Sequence, residues 1–366
     1  MRTLVLSDLH LGSSTGADVL RDPRVSARLE RELAVTDRVV FLGDLLELRH
    51  GPVSGALDAA VPVLERLAGA LPAGAEVVIV PGNHDHELAR PWLDQRAQPL
   101  GLEHRIRPQT ASPLARRVAS VFADQSVTVA YPGLWLRDDV YAFHGHYLDV
   151  HTTVPTFERL AAGAMTRLMG GLPDDAPADP DAYERILAPM YAWIHAAAQR
   201  ARPGRLGAGA GSAGKAYEAL HGDGRRPMRM RVLLAALPVG VRGLSMLGLG
   251  QLSSDLSGAG LLNGSLDAVG EAVARLGLDA QHVIFGHSHR LGPLRNDDVL
   301  RWRTPNGAWL HNTGSWVHEP AFTGATGSRH PYWPGGALLL EDDRPPKLLR
   351  LLGGVRLPAP TAPGPG

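Results

Sequence analysis

Within the first 85 residues, three short apolar runs alternate with two stretches of helical spacing, and every apolar run breaks off into polar residues. The first is Met1-Arg-Thr-Leu-Val-Leu-Ser-Asp-Leu-His-Leu11, the second Arg38-Val-Val-Phe-Leu-Gly-Asp44, and the third Glu76-Val-Val-Ile-Val80 followed by Pro81-Gly-Asn-His-Asp85. Between them, residues 23–34 place Val25, Leu29 and Leu33 on one helical face, and a second helix is expected over about 54–71. A β-α-β-α-β order implies parallel strands joined by right-handed crossovers. All three strands then deliver their polar ends to one edge, where open α/β sheets hold their ligands.

Side chains alternate along a strand, so Asp8 and His10 are expected to point the same way. Asp44, Asn83, His84 and Asp85 would join them in one crevice. Tight-turn chemistry accounts for Gly43 and Gly82. It gives no reason for His10 and His84.

Composition limits the chemistry. The 366 residues include no cysteine and 16 histidines, so a metal site here must be built from nitrogen and oxygen ligands. Basic and acidic residues balance at 37 each, and no nucleic-acid partner is expected. The 44% hydrophobic content is that of a globular chain with one large core and an insertion, or two domains. A strand expected within two residues of Met1 leaves no room for a secretion signal, which points to the cytoplasm. No apolar run reaches a clear membrane span, although residues 232–250 come near.

Farther along, residues 98–125 read as a surface excursion. Strands are expected at 126–131, 133–136 and 139–143, separated by Pro132-Gly133 and Arg137-Asp-Asp139 turns, and the last runs into His144-Gly-His146. Residues 281–285 form another apolar run ending in Gly286-His-Ser-His289. Between these two motifs the pattern is helical. Residues 156–169 and 182–201 carry helical spacing, the latter with Tyr183, Ile186, Leu187, Met190, Ile194 and Ala197 in a stripe. Asp179-Pro180 reads as the start of that helix and Pro189 as a kink. Residues 203–214 read as a flexible loop, and Arg225, Arg226, Arg229 and Arg231 lead into the apolar stretch at 232–250. The core is expected to resume near Ser265. Strands at 308–312, 336–341 and 347–352 are assigned to a second sheet, and a disordered tail is expected from Gly353.

In order and spacing, Asp8-x-His10, Gly43-Asp44, Gly82-Asn-His-Asp85, His144-Gly-His146 and Gly286-His-Ser-His289 resemble the signature of the calcineurin-like metallophosphoesterase superfamily. The resemblance covers about residues 1–150 and 265–350, and Asn312-Thr-Gly-Ser315 is similar to a late turn of that family. It implies a two-sheet α/β sandwich flanked by helices, with residues 151–264 as a large helical cap and 353–366 as the tail. It further implies two divalent metal ions, manganese first, with iron or zinc as options. Asp8, His10 and His289 would hold one ion, and Asn83, His144 and His287 the other, with Asp44 bridging. His84 would approach the substrate phosphate and protonate or stabilise the leaving oxygen, with Asp85 orienting its ring. Gly43 would let backbone pass close to the ions. Such a pair of cations clamps a phosphate and activates a bridging hydroxide for in-line attack.

Ser7-Asp-Leu-His-Leu11 with Gly43-Asp-Leu-Leu-Glu47 is closest in style to the branch containing the UDP-diacylglucosamine hydrolase, although that branch's usual Gly-Asn-Arg-Asp is here Gly-Asn-His-Asp. The implied activity is hydrolysis of a phosphomonoester, phosphodiester or pyrophosphate, on a lipid-linked or nucleotide-sugar substrate. His146, Arg225, Arg226 and Arg229 are candidate substrate contacts. The arginines and the apolar stretch suit an amphiphilic phosphoester or an anionic membrane surface, placing the protein at the inner membrane face. The other reading, and the favoured one for residues 232–250, is a solvated basic turn leading into a buried cap helix. A soluble nucleotide or protein phosphatase would share every core motif, and a non-catalytic scaffold of this fold would tolerate gaps in the ligand set. Asp149, His151, His50, His86 and His311 are expected to be structural.

Overall fold

The computed structural model describes residues 1–153, 162–166, 168, 172, 177–200 and 258–357. Arg225, Arg226, Arg229, the loop at 203–214 and the apolar stretch at 232–250 lie outside these residues, as does most of the helix expected at 156–169.

β1 (Arg2–Leu6), β2 (Arg38–Leu42) and β3 (Glu76–Val80) pair in parallel, with Leu4 against Val39 and Val40 against Val78. Their connections are α1 (Pro23–Leu33) and α2 (Val53–Ala70). Asp22 starts α1 by accepting from the amide of Arg24 ahead of Pro23, whose missing N–H costs a helix nothing at that position. Val25, Leu29 and Leu33 of α1 and Leu57, Val63, Leu64 and Leu67 of α2 are buried against the sheet, as the spacing predicts.

The second half differs from expectation. Residues 126–131 and 133–136 are one strand, β5 (Ser126–Arg137), which continues through Pro132. Its first part pairs in parallel with β3, and its second part pairs antiparallel with β6 (Val140–Phe143). Pro132 is tolerated because its neighbour there is Glu103, at an irregular register of the short outer strand β4 (Glu103–Ile106). That strand and the short helices Pro108–Ala111 and Pro113–Ala119 replace the expected surface excursion.

β7 (His282–Phe285) and β8 (Trp309–Asn312) continue in parallel from β6, while β9 (Gly336–Glu341) pairs antiparallel with β1 and β10 (Lys347–Arg350) antiparallel with β9. The strands expected to form a separate second sheet therefore lie at the two ends of one ten-stranded sheet among the described residues, β8 at one end and β9 and β10 at the other. The sheet curls so that its two halves face each other. Val5, Val40, Val78 and Leu338 pack with Leu134, Ala142 and Ile284 in the interior between them. Each valine, leucine or isoleucine among them contributes about 1.5–3 kcal/mol when fully buried. A sandwich forms, but from one sheet.

The helix Pro180–Gln199 starts where expected, with Asp179 accepting from the amide of Ala182, and it runs through Pro189. Tyr183, Ile186, Leu187 and Met190 bury against Tyr147 and Ala272, whereas Ala197 is exposed and Ala198 is buried in its stead. The helix Gly258–Arg275 is continuous across position 265. Residues 353–357 pack against the core through Val355 and Leu357, and the rest of the expected tail, 358–366, lies outside the described residues.

Candidate metal centre

Five strand ends converge at the site, and they are cross-tied by backbone. Asp8 and His10 donate their amides to the carbonyls of Gly43 and Asp44 at 3.0 and 2.9 Å. The Gly286 amide donates to His144 O at 2.9 Å, and the His287 amide to Asp8 Oδ2 at 3.0 Å. Asn312, the last residue of β8, donates through Nδ2 to Gly286 O at 3.0 Å and Ser288 Oγ at 2.9 Å.

Asp8, His10, Asp44, His287 and His289 all have positive φ, between 46° and 64°. Among the described residues only one other non-glycine, Asp342, shares this conformation. Such a backbone costs on the order of 1–3 kcal/mol per residue and persists only where its surroundings over-determine it. Asp8 and His10 are thus aimed by two left-handed residues, not by strand alternation.

The side chains gather as the residue types require. Asp8, His10 and His289 bring one ligand atom each within 4.8 Å of the others, and so do Asp44, His144 and His287. His289 Nε2 lies 3.2 Å from Asp8 Oδ1 and 3.1 Å from His10 Nε2. Asp44 Oδ2 stands between the two groups, 3.7 Å from His10 Nε2 and 3.3 Å from His144 Nε2. The Asn83 amide lies 3.1 Å from both His144 Nε2 and His287 Nδ1. Turned with its nitrogen inward it donates to both rings and to Asp44, and its oxygen accepts from Arg49. Turned with its oxygen inward it faces only acceptors, an arrangement that a cation stabilises.

The ring tautomers fit metal binding. His10 Nδ1 donates to Glu47 at 3.0 Å, His144 Nδ1 to Leu42 O at 3.0 Å, and His287 Nε2 to Asp149 at 2.9 Å. In each case the other nitrogen is left facing the centre, the usual support of a ligating histidine. Asp8 Oδ1 is buried and has no hydrogen-bond partner among the described residues. The donor set fits a pair of divalent cations.

Electrostatics agree. Burial pushes the Asp8 and Asp44 carboxyls up, but the rings of His289 and His10 around the first and of His144 and His84 around the second hold both below the usual range. Burial opposes charge on His144, yet Asp44 raises it to about 9. Without metal Asp44 therefore holds a proton on His144, which a bound cation would displace.

His84 forms a third close group with His10 and Asp44. Burial, then the Arg49 charge, lower it to about 4. Its Nδ1 meets Glu47 Oε2 at 2.8 Å, and its Nε2 meets Arg49 Nη1 at 3.3 Å. Asp85 does not orient this ring. Its carboxylate accepts from the amides of Gly82, Leu45 and Leu46 at 2.7, 2.8 and 3.2 Å, tying two loops together. Burial and the Asp44 charge raise it to about 6. Glu47 makes the contact expected of Asp85.

Gly43 also has a different reason from the expected one. A Cβ there would overlap the His144 ring, and one at Gly82 would overlap Asp44 Oδ1. His146 is buried beside His144, with a ring centroid separation of 5.6 Å. His50 contacts Ser13, His151 contacts Tyr183, and His311 pairs with His282 away from the centre. Asp149, expected to be only structural, is held against His287. Glu47 and Arg49 are neighbours of the centre that motif reading passed over, although Glu47 sits three residues from Asp44. Glu319 is another. Burial raises its carboxyl against the opposing charges of His289 and His10, and its Oε2 has no partner among the described residues.

Comparison with known proteins agrees with this geometry. Residues 1–168 match the family model of the calcineurin-like phosphoesterases. The matched segment carries Asp8, His10, Asp44, Asn83 and His144, and the family it describes implies a dinuclear divalent site, for which the Asp and His groups described above could serve. No curated protein sequence matches the chain. Among solved structures, the chain is similar to the nuclease MPE of Pseudomonas putida at 20% identity, over 39% of this chain and 53% of that one, with a TM-score of 0.22. The chain thus spans about half of that nuclease. It is also similar to a cold-active protein-tyrosine phosphatase of a psychrophilic Shewanella species at 12% identity, over 95% of this chain and 80% of that one, with a TM-score of 0.28. A dimetal phosphatase from Danio rerio is 13% identical, over 96% and 99%, with a TM-score of 0.33. No helix among the described residues is long and apolar enough to cross a membrane.

Proposed function

We propose that the chain hydrolyses a phosphoester at a dinuclear centre held by Asp8, His10 and His289 on one side and Asn83, His144 and His287 on the other, with Asp44 between. The observation that carries this reading is the placing of Asp44 Oδ2 within 3.7 Å of His10 Nε2 and 3.3 Å of His144 Nε2, so that one carboxylate reaches both groups. Bound divalent cations, of which manganese, iron and zinc suit these ligands, supply Lewis acidity toward a phosphate and a water of lowered pKa. The protein's own residues do the rest. Glu47 fixes the His10 and His84 rings, Asp149 fixes His287, and Leu42 O fixes His144. His84 keeps its proton on Nδ1 against Glu47, leaving Nε2 toward Arg49 and, at 4.0 Å, Asp44 Oδ2. That nitrogen is the atom placed to exchange a proton with a reacting oxygen. Asp85 acts by holding the loops that carry Asp44 and Asn83.

For the substrate, a lipid-linked or nucleotide-sugar phosphoester is the reading favoured by the resemblance of Ser7-Asp-Leu-His-Leu11 and Gly43-Asp-Leu-Leu-Glu47. Residues 151–264 would then act as a cap at an inner membrane surface. Turnover of nucleotides, phosphodiesters, UDP-sugars and phospholipids in manganese buffer tests this reading. Asp44→Ala should lose metal and activity together, whereas His84→Ala should keep metal and lose rate. Selective turnover of soluble nucleotides would overturn the amphiphile reading.

A further inference from the structure

Glu184 and Tyr191 lie seven residues apart, on one face of the helix Pro180–Gln199, and both reach the loops that carry the ligands. The Glu184 carboxylate accepts from the phenols of Tyr131 and Tyr147 at 2.6 and 2.8 Å and meets His86 Nε2 at 3.0 Å. Because His86 closes the loop bearing Asn83 and His84, this contact fixes the helix against the centre.

Two turns on, the Tyr191 ring is surrounded by His86, His146 and Arg49. The histidine centroids are 5.4 and 5.8 Å away, and the guanidinium carbon lies 5.5 Å over the ring. Tyr191 is 3% exposed and His146 is 2% exposed. The Tyr191 hydroxyl, both His146 ring nitrogens and His86 Nδ1 have no hydrogen-bond partner among the described residues. A cluster of buried polar atoms left unmatched is unfavourable unless a polar ligand completes it. Burial, then the Asp149 charge, keep the phenol protonated well above its ordinary range, and Asp44 acts on it too. It is therefore a neutral donor beside the metal ligands. Arg49 adds a positive charge, with Nη2 donating to Asn83 O at 3.0 Å.

We propose that Tyr191 and Arg49 grip a non-bridging oxygen of the substrate phosphate, with His146 as the adjoining polar contact. The proposal rests on the phosphoester hydrolase reading above. It makes the helix Pro180–Gln199 a supplier of a substrate-binding group. A tetrahedral oxyanion can accept from both, since guanidinium matches phosphate geometry and the phenol adds an O–H donor.

The test uses the full-length, metal-loaded protein, wild type and Tyr191→Phe, with inorganic phosphate as the calorimetric probe and p-nitrophenyl phosphate as the kinetic one. A hydrogen bond to a charged group corresponds to a loss of about 10- to 100-fold. Phosphate affinity and kcat/KM should both fall by that factor while metal content stays at the wild-type level. Should Tyr191→Phe not fold, Arg49→Lys is read in the same way, because it keeps the charge and removes the planar fork. Phosphate affinity within twofold of wild type overturns the grip and leaves the hydrolase reading standing. A metal-loaded wild type that neither binds phosphate nor cleaves the ester overturns both.

Discussion

Glu47 Oε2 lies 2.8 Å from Nδ1 of His84, and the same oxygen is 3.0 Å from Nδ1 of His10. One carboxylate therefore sets the tautomer of a metal-ligand candidate and of the nearest proton-exchanging ring. Burial pushes Glu47 up, but His84, His50 and His10 hold it well below the usual range, so it stays ionised. Glu47→Gln should weaken metal affinity and turnover by roughly 10- to 100-fold, the usual effect of losing such a support. Equilibrium dialysis with manganese, alongside hydrolysis rates, checks both; unchanged affinity and rate would contradict the role.

Asp149 plays the matching part on the other side. Its contact with His287 Nε2 leaves Nδ1 facing Asn83. Asp149→Asn should weaken one of the two metal sites about 10- to 100-fold and spare the other. A metal titration with two resolved affinities would separate them, and equal weakening of both would refute the pairing.

Gly82→Ala tests how closely the strand ends approach. Its Cβ would overlap Asp44 Oδ1, and the Asp44 amide is too near to yield. The substitution should lower stability by about 1–3 kcal/mol. It should also displace the carboxylate that both groups share. Denaturant melts and metal content measure the two effects, and wild-type values in both would count against the crowding.

Acid sensitivity should depend on Glu184. Burial raises its pKa, but the hydrogen bonds from His86, Tyr131 and Tyr147 outweigh this and leave it below the ordinary 4.5. With the folded value depressed, its stabilisation is present above about pH 4.5 and is lost as pH falls through the folded value. The melting temperature gap between wild type and Glu184→Gln should therefore shrink as pH falls from 4.5. A gap that widens in acid would reverse the assigned sign.

Much of this was legible in the sequence because parallel strands force their ends together. Asp8, His10, Asp44, Asn83, His144, His287 and His289 needed only periodicity to place them at one edge and a family resemblance to pair them. Contacts set by loop paths were not legible. Glu47 reaches His84 across 37 positions, and Asp85 turns away to three backbone amides. The single sheet was hidden for a related reason. Pro132-Gly133 is a turn signal, yet here it falls where β5 changes partners from β3 to β6, and the strand continues. Tyr191 gave no signal beyond its place in a helical segment, because what distinguishes it is a buried hydroxyl with no hydrogen-bond partner among the described residues.

The most direct measurement is metal stoichiometry and turnover on one preparation, with Asp44→Ala beside wild type. The account predicts two divalent ions per wild-type chain and hydrolysis of a chromogenic phosphoester, with both lost in Asp44→Ala. A wild-type chain that binds no metal and cleaves no phosphoester in manganese, or an Asp44→Ala variant that keeps two ions and full rate, would contradict it.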